Sequence, residues 1–246
     1  DAIRRIGARS RVTPNPKDAV VVLEADSADD RAEDYEVVAE DGCACVAASS
    51  PLGLLQGVRT FVQLLDASGG QVRVPAIFIR DWPDVPYRGI FQETTYSSSA
   101  MRIEDWLGMI DRLASLKMNA VMVSLYSCWR REDHVKEFLL VPSKRCPKLV
   151  SPQKDDYYSA VAKRRVRREF VPPMFEQDFF GEVAAYGAAR GVTVIPYMNL
   201  LGHNTLIPRL YPEVSMLDAS GKPKGYGFCT SNPTTYKLVN DLLDET

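Results

Sequence analysis

Histidine, paired cysteine and long apolar runs are all scarce in this chain, and each shortage closes off a class of function. Two histidines and five scattered cysteines, with no Cys-x-x-Cys, provide no metal-ligand spacing, so neither a metal nor a cofactor is expected. The longest apolar runs fall far short of the roughly 20 residues that span a bilayer, so no transmembrane helix is expected. Charge of one sign is also missing. Thirty basic residues stand against 32 acidic ones, net −2, which argues against a nucleic acid or a membrane surface as partner. Asp1 opens without the basic and apolar regions of a signal peptide. What remains is globular in character: 46% hydrophobic and 25% charged residues in a chain of 246, enough for a sizeable core.

The chain is organised around residues 81–93. Pro83 and Pro86 break regular structure and push the residues before them into extended conformations. An apolar, strand-like run through Tyr87, Ile90 and Phe91 follows, with Arg88 inside it. A buried guanidinium needs a polar partner, and its rigid fork of donors suits carboxylates and sugar hydroxyls alike. Arg88 is therefore expected to face either a ligand or a structural carboxylate, Glu93 or Asp84.

Before that stretch, residues 1–80 read as a small α+β domain. Ala19 to Leu23, Tyr35 to Ala39 and Cys43 to Ala48 are strands, the last two joined by Asp41-Gly42, a strong hairpin signal. Cys43 and Cys45 share one face of their strand and are expected to be small core residues. Ser50 and Pro51 open a helix that carries Leu54, Leu55, Val58, Phe61, Val62 and Leu65. Another strand is expected in 72–79.

After the break, residues 81–246 alternate strand and helix. Ile103, Leu107, Ile110, Leu113 and Ala114 form a helical stripe, with Glu104 and Asp105 in the first turn. Residues 118–125 are a continuous apolar run, expected to be a parallel strand buried on both faces. Residues 127–173 read as an irregular insertion, and the basic run Lys163-Arg-Arg-Val-Arg-Arg168 within it as a solvated face. Phe175, Phe179, Val183 and Tyr186 imply one helix closed by Gly191. Residues 192–196 are a third buried strand, 227–229 a short fourth, and Asn232-Pro233 opens the last helix. Alternating βα units imply a parallel sheet, either doubly wound or a (β/α)8 barrel, with chemistry at the carboxyl ends of the strands. The polar residues there are Glu93, Tyr126, Ser127, Cys128, Asn199, His203 and Asn204.

In order and motif the chain resembles glycoside hydrolase family 20, the β-N-acetylhexosaminidases. The helix at 51–65 (Pro-Leu-Gly-Leu-Leu-Gln-Gly-Val-Arg-Thr-Phe-Val-Gln-Leu-Leu) is similar to the last helix of that family's accessory domain. Residues 81–89 (Asp-Trp-Pro-Asp-Val-Pro-Tyr-Arg-Gly) are similar to its barrel entry, whose arginine binds sugar hydroxyls, and Arg88 falls on that position. Lys117-Met-Asn119, Tyr186 to Pro196 and Leu201-Gly-His203 match further landmarks, the last being a histidine that supports the catalytic acid. The resemblance implies a small α+β accessory domain followed by an incomplete TIM (β/α)8-type barrel of about three to four βα units. It implies a carbohydrate substrate, bound with the help of Arg88, His203, Glu93, Asn199 and Cys128, and no cofactor. A secreted, periplasmic or lysosomal-type compartment would follow.

Two departures from that pattern matter. The acidic motif expected after the second strand reads Met122-Val-Ser-Leu-Tyr-Ser-Cys128, with Glu132, Asp133 or Glu93 as substitutes for its carboxylate. The catalytic Asp-Glu pair, expected on a fourth strand, would lie beyond Thr246, since Asp244-Glu245 sits at a helix end. Barrels need about 250 residues for themselves. The chain therefore reads as the front portion of a hydrolase, inactive alone and completed by the remainder of the barrel. A non-catalytic carbohydrate-binding module, or a barrel glycosidase for another sugar such as a uronic acid, are the alternatives.

Overall fold

The structure is a computed structural model that describes residues 21–25, 33–40, 42–68, 72–93, 98–126, 139–199 and 202–246. Ser127, Cys128, Glu132, Asp133 and the first 18 residues lie outside the described residues. The chain divides into two compact units, Asp1–Arg88 and Gly89–Thr246.

The first unit is a four-stranded sheet covered on one face by a helix. Strands β1 (Val21–Ala25), β2 (Tyr35–Glu40), β3 (Cys43–Ala48) and β4 (Ile77–Asp81) lie in the order β1-β3-β2-β4. The Asp-Gly turn does what its sequence implies: β2 and β3 pair antiparallel from Tyr35–Ala48 to Glu40–Cys43, with Gly42 at φ +79°. Helix α1 (Pro51–Gln63) starts at Ser50, whose side chain accepts from the Gly53 N–H at 2.9 Å, with Pro51 at the first helical position. Its Phe61 closes on Tyr35, Val37, Ala39, Ala44 and Val46 of the sheet.

That register overturns one expectation. Ala44 and Val46 are the buried residues of β3, whereas Cys43 is exposed and Cys45 half-buried. Side chains alternate with a period of two, so the hairpin that turns Val37 inward turns the cysteines outward.

The second unit holds a sheet of three parallel strands: β5 (Gly89–Gln92), β6 (Ala120–Leu125) and β9 (Thr193–Met198), in the order β5-β6-β9. Helix α2 (Ile103–Ser115) links the first two, with Asp105 accepting from the Arg102 N–H at 2.9 Å at its start. Trp106, Ile110, Leu113 and Ala114 are its buried face, packed with Val121, Val123, Leu125, Val183 and Val192.

The helix expected through Phe175 and Phe179 is two pieces, α3 (Pro173–Glu176) and α4 (Phe180–Ala188). Gln177 is extended, and Asp178 accepts from the Phe180 N–H at 3.2 Å, so a local side-chain acceptor restarts the helix. Gly191, at φ +67°, ends it as expected. A Cβ on Gly187 would lie 2.5 Å from the Val192 carbonyl oxygen, which is how closely α4 approaches the strand that follows.

Two further expectations change. The insertion is not irregular throughout, because it contains an antiparallel hairpin of β7 (Gln153–Ser159) and β8 (Arg164–Phe170). The expected fourth strand is β11 (Pro223–Phe228), and it pairs antiparallel with β10 (Ser215–Leu217) instead of extending the parallel sheet. After α5 (Leu206–Leu210), helix α6 (Pro233–Leu243) begins at Asn232, whose side chain accepts from Thr234 N–H at 3.0 Å. Asp244 and Glu245 at its end are structural. Arg145 reaches Asp244 at 2.7 Å and Asp241 at 3.2 Å, and the Ser143 hydroxyl donates to Glu245 at 2.6 Å.

Candidate active site

The described residues that directly follow the three parallel strands are Glu93, Tyr126 and Asn199. Parallel pairing in register brings these ends to one edge of the sheet. Tyr126 is buried at φ +53°, a conformation costly for a side chain of that size and therefore imposed by its surroundings. Its N–H donates to the Leu139 carbonyl at 3.0 Å and its hydroxyl to the Val141 carbonyl at 3.0 Å. Burial pushes its phenol up to about 12.

Asn204 connects the second and third strand ends. It is fully buried, and its Nδ2 donates to the Tyr126 carbonyl at 2.8 Å and to the Asn199 carbonyl at 3.3 Å. Its own carbonyl accepts from the Gly227 N–H at 2.9 Å. One side chain thus ties the chain after β6 to the chain after β9. Its Oδ1 has no hydrogen-bond partner among the described residues. His203, beside it, is exposed and at φ +50°. Asn199 accepts through Oδ1 from the Tyr197 hydroxyl at 3.0 Å.

The sheet face turned away from the helices is open. Phe91, Met122 and Tyr197 are 47%, 36% and 39% exposed, and Phe91 meets Tyr197 edge-to-face with ring centroids 5.3 Å apart. The strands are therefore not buried on both faces, contrary to the reading of the apolar run 118–125. Sequence reasoning passed over this aromatic pair. Its signal was the tyrosine that directly follows the apolar run Val194-Ile-Pro196.

Arg88 is described within the first unit. Its Nη1 donates to the carbonyls of Val85 at 2.8 Å and Pro86 at 3.3 Å, and its Nη2 pairs with Glu33. Glu33 also accepts from Gln56 Nε2 at 2.8 Å, and its side chain is only 8% exposed. A carboxylate partner of Arg88 is thus Glu33, 55 residues upstream. Cys128 lies outside the described residues. No cluster of His, Cys, Asp or Glu suited to a metal occurs among the described residues.

An α+β unit followed by parallel βα units, with polar groups gathered at the carboxyl ends of the strands, is the layout of a barrel hydrolase. Residues 1–82 match domain 2 of glycosyl hydrolase family 20, and residues 86–246 match its catalytic domain. The chain belongs to glycosyl hydrolase family 20. It is 26% identical over 207 residues to a β-hexosaminidase of Vibrio furnissii, covering 80% of this chain and 32% of that protein. With a β-hexosaminidase of Akkermansia muciniphila it shares 28% over 206 residues, 78% of this chain and 38% of the relative. The solved chitobiase of Flavobacterium johnsoniae superposes with a TM-score of 0.72 at 22% identity, covering 99% of this chain and 35% of that one. A β-N-acetylhexosaminidase from Bacteroides fragilis gives 0.69 at 20%, covering 95% and 44%. These superpositions show the fold: an accessory domain and part of a TIM barrel. The chain spans about a third of the length of the curated relatives it matches.

Proposed function

We propose that this chain supplies the sugar-recognition portion of a β-N-acetylhexosaminidase that removes terminal β-linked N-acetylhexosamine. Its membership of family 20, over both units, is the observation that carries this reading. The glycosidic oxygen is a poor leaving group and needs a carboxylic acid with a raised pKa. In the substrate-assisted retaining route, which departs from the two-carboxylate scheme, the substrate's own acetamido oxygen attacks the anomeric carbon.

Glu93 is the one carboxylate among the described residues that directly follow a parallel strand. One carboxylate among these described residues does not make the acid and aspartate pair, so binding is the role assigned to the described groups. Asn199 and His203 are offered from the chain after β9 and Glu93 from the end of β5. Arg88, paired with Glu33 in the first unit, is offered as a hydroxyl donor only on the family position that it occupies, since a guanidinium carries five donors. Within the second unit, the open aromatic pair Phe91–Tyr197 supports the binding reading with an apolar surface for a pyranose ring.

The test has two arms. This chain alone should give no release of nitrophenol from an aryl β-N-acetylglucosaminide, while N-acetylglucosamine should perturb the NMR signals of residues near Asn199 and His203. Steady turnover by this chain alone, or no perturbation at millimolar sugar, would overturn the proposal.

A further inference from the structure

Cys43 and Cys45 stand two residues apart on β3, and the glycosidase reading gives neither of them a task. Both are free thiols on the outward face of the first unit's sheet, Cys43 exposed and Cys45 half-buried. Core packing does not account for them, because Ala44 and Val46 fill the helix-covered face of the same strand. Hydrogen bonding does little more. The Cys43 thiol donates to the Ala44 carbonyl at 3.9 Å, a long contact and a weak donor.

Register shows what borders the pair. Cys45 lies between Val22 of β1 and Val38 of β2, and Cys43 lies beside Glu40. Burial, then Glu24, then Cys43 push the Cys45 thiol up. The two sulfurs are therefore close enough to act on each other electrostatically, with Glu24 near them. Arg80 shares this face and pairs with Glu36 at 3.6 Å. Among the described residues, the surroundings of the two thiols thus favour a cation.

Distance decides what such a pair can do. Two residues along a strand span about 6.6–6.8 Å, and side chains on one face run side by side. A disulfide needs Cβ atoms about 3.5–4.5 Å apart, so these two cannot join each other without distorting the strand. An ion held in line between two thiolates needs sulfurs only about 4.6 Å apart, taking about 2.3 Å for each metal–sulfur bond. Staggered rotamers that lean the sulfurs toward each other cover the difference. Groups of three or more ligating side chains are absent among the described residues, which leaves zinc short of the four ligands it takes. Soft thiolates select copper(I), a closed-shell ion that binds with as few as two ligands.

We propose that Cys43 and Cys45 form a two-thiolate site for copper(I) on the outer face of this sheet. Each thiol releases its proton to solvent as its copper–sulfur bond forms, and no oxidation state changes. Glu24 and Glu40 draw the cation in. The site lies within the first unit and does not depend on the glycosidase reading.

The test is an anaerobic titration of the reduced whole chain with copper(I), in competition with the chromophoric chelator bicinchoninate. One ion per chain should leave the chelator, and X-ray absorption should show two sulfur neighbours. Cys43→Ser and Cys45→Ser should each weaken binding by more than about 100-fold, since an outer-shell partner alone is worth about 10–100-fold. Neither residue belongs to the buried core, so the copper-free variants should unfold at the wild-type temperature. Cys128→Ser and Cys229→Ser should bind as the wild type does. In the wild type, copper(I) should also shield Cys43 and Cys45 from alkylation, read by peptide mass. Copper(I) retained by either strand variant, or alkylation of the pair that copper(I) does not slow, overturns the site. One ion shared between two chains overturns its construction within a single chain. Zinc bound as tightly as copper(I) overturns the choice of ion.

Discussion

The side-chain nitrogen of Asn204 sits 2.8 Å from the carbonyl oxygen of Tyr126, across 78 residues of sequence. With its second contact, to Asn199, it adds a side-chain tie beyond two strand ends that already pair in register through Leu125 and Met198. Asn204→Ala should leave one buried and one part-buried carbonyl without this donor and destabilise the second unit by about 1–3 kcal/mol. Asn204→Asp should be no better, because it places an acceptor where a donor is needed. The midpoint of denaturant unfolding checks both.

Two glycines within helices should respond in opposite directions to alanine. A Cβ on Gly57 would lie 2.6 Å from Val46 Cγ1 and 3.1 Å from Tyr35 Cδ2, so Gly57→Ala should cost about 1–3 kcal/mol through overpacking. Gly108 in α2 is exposed with open space around it, and Gly108→Ala should stabilise by about 0.5–1 kcal/mol. Paired thermal melts, read unit by unit, should separate the two.

Alkaline titration should isolate one tyrosine. Burial holds the Tyr126 phenol at about 12 against an ordinary value of 10. A proton held more tightly in the folded state favours that state below pH 10, and the benefit is lost as pH rises toward 12. Stability should therefore fall across that window. Ultraviolet titration should show a late-ionising phenol that disappears in Tyr126→Phe.

The acid side should report on the end of α6. The Ser143 hydroxyl and the Arg145 N–H hold Glu245 below its ordinary 4.5, and Lys237, with Arg145, holds Asp241 below 3.8. Carboxylates with depressed pKa values stabilise the fold above their ordinary values and lose that contribution as pH falls through the lowered ones. Unfolding midpoints should drop below about pH 4 in the wild type and drop less in Glu245→Gln. An identical pH profile in the variant would refute the assignment.

Local chemistry made much of this fold legible. Asp41-Gly42 announced the first hairpin, and Ser50-Pro51 and Asn232-Pro233 announced helix starts, because each acts through bonds a few residues away. Parity and long-range pairing were not legible. Nothing local decides whether Cys43 or Ala44 faces the helix, since shifting a strand by one residue exchanges its faces. The β7–β8 hairpin escaped because a strand rich in arginine lacks the apolar alternation by which strands are recognised. Phe175, Phe179 and Val183 kept helical spacing through a real break at Gln177. At the candidate site, the positions after the strands were readable, but the clamp by Asn204 and the union of Arg88 with Glu33 depend on the folded chain.

Among the described residues, β5 and β9 each have a single partner, β6, and so each keeps one row of backbone donors and acceptors unsatisfied by a neighbouring strand. Such a sheet is a template with two growing margins. Whatever strands dock there, from the same polypeptide or another copy, will determine whether the chain behaves in solution as a discrete particle or as a nucleus for association.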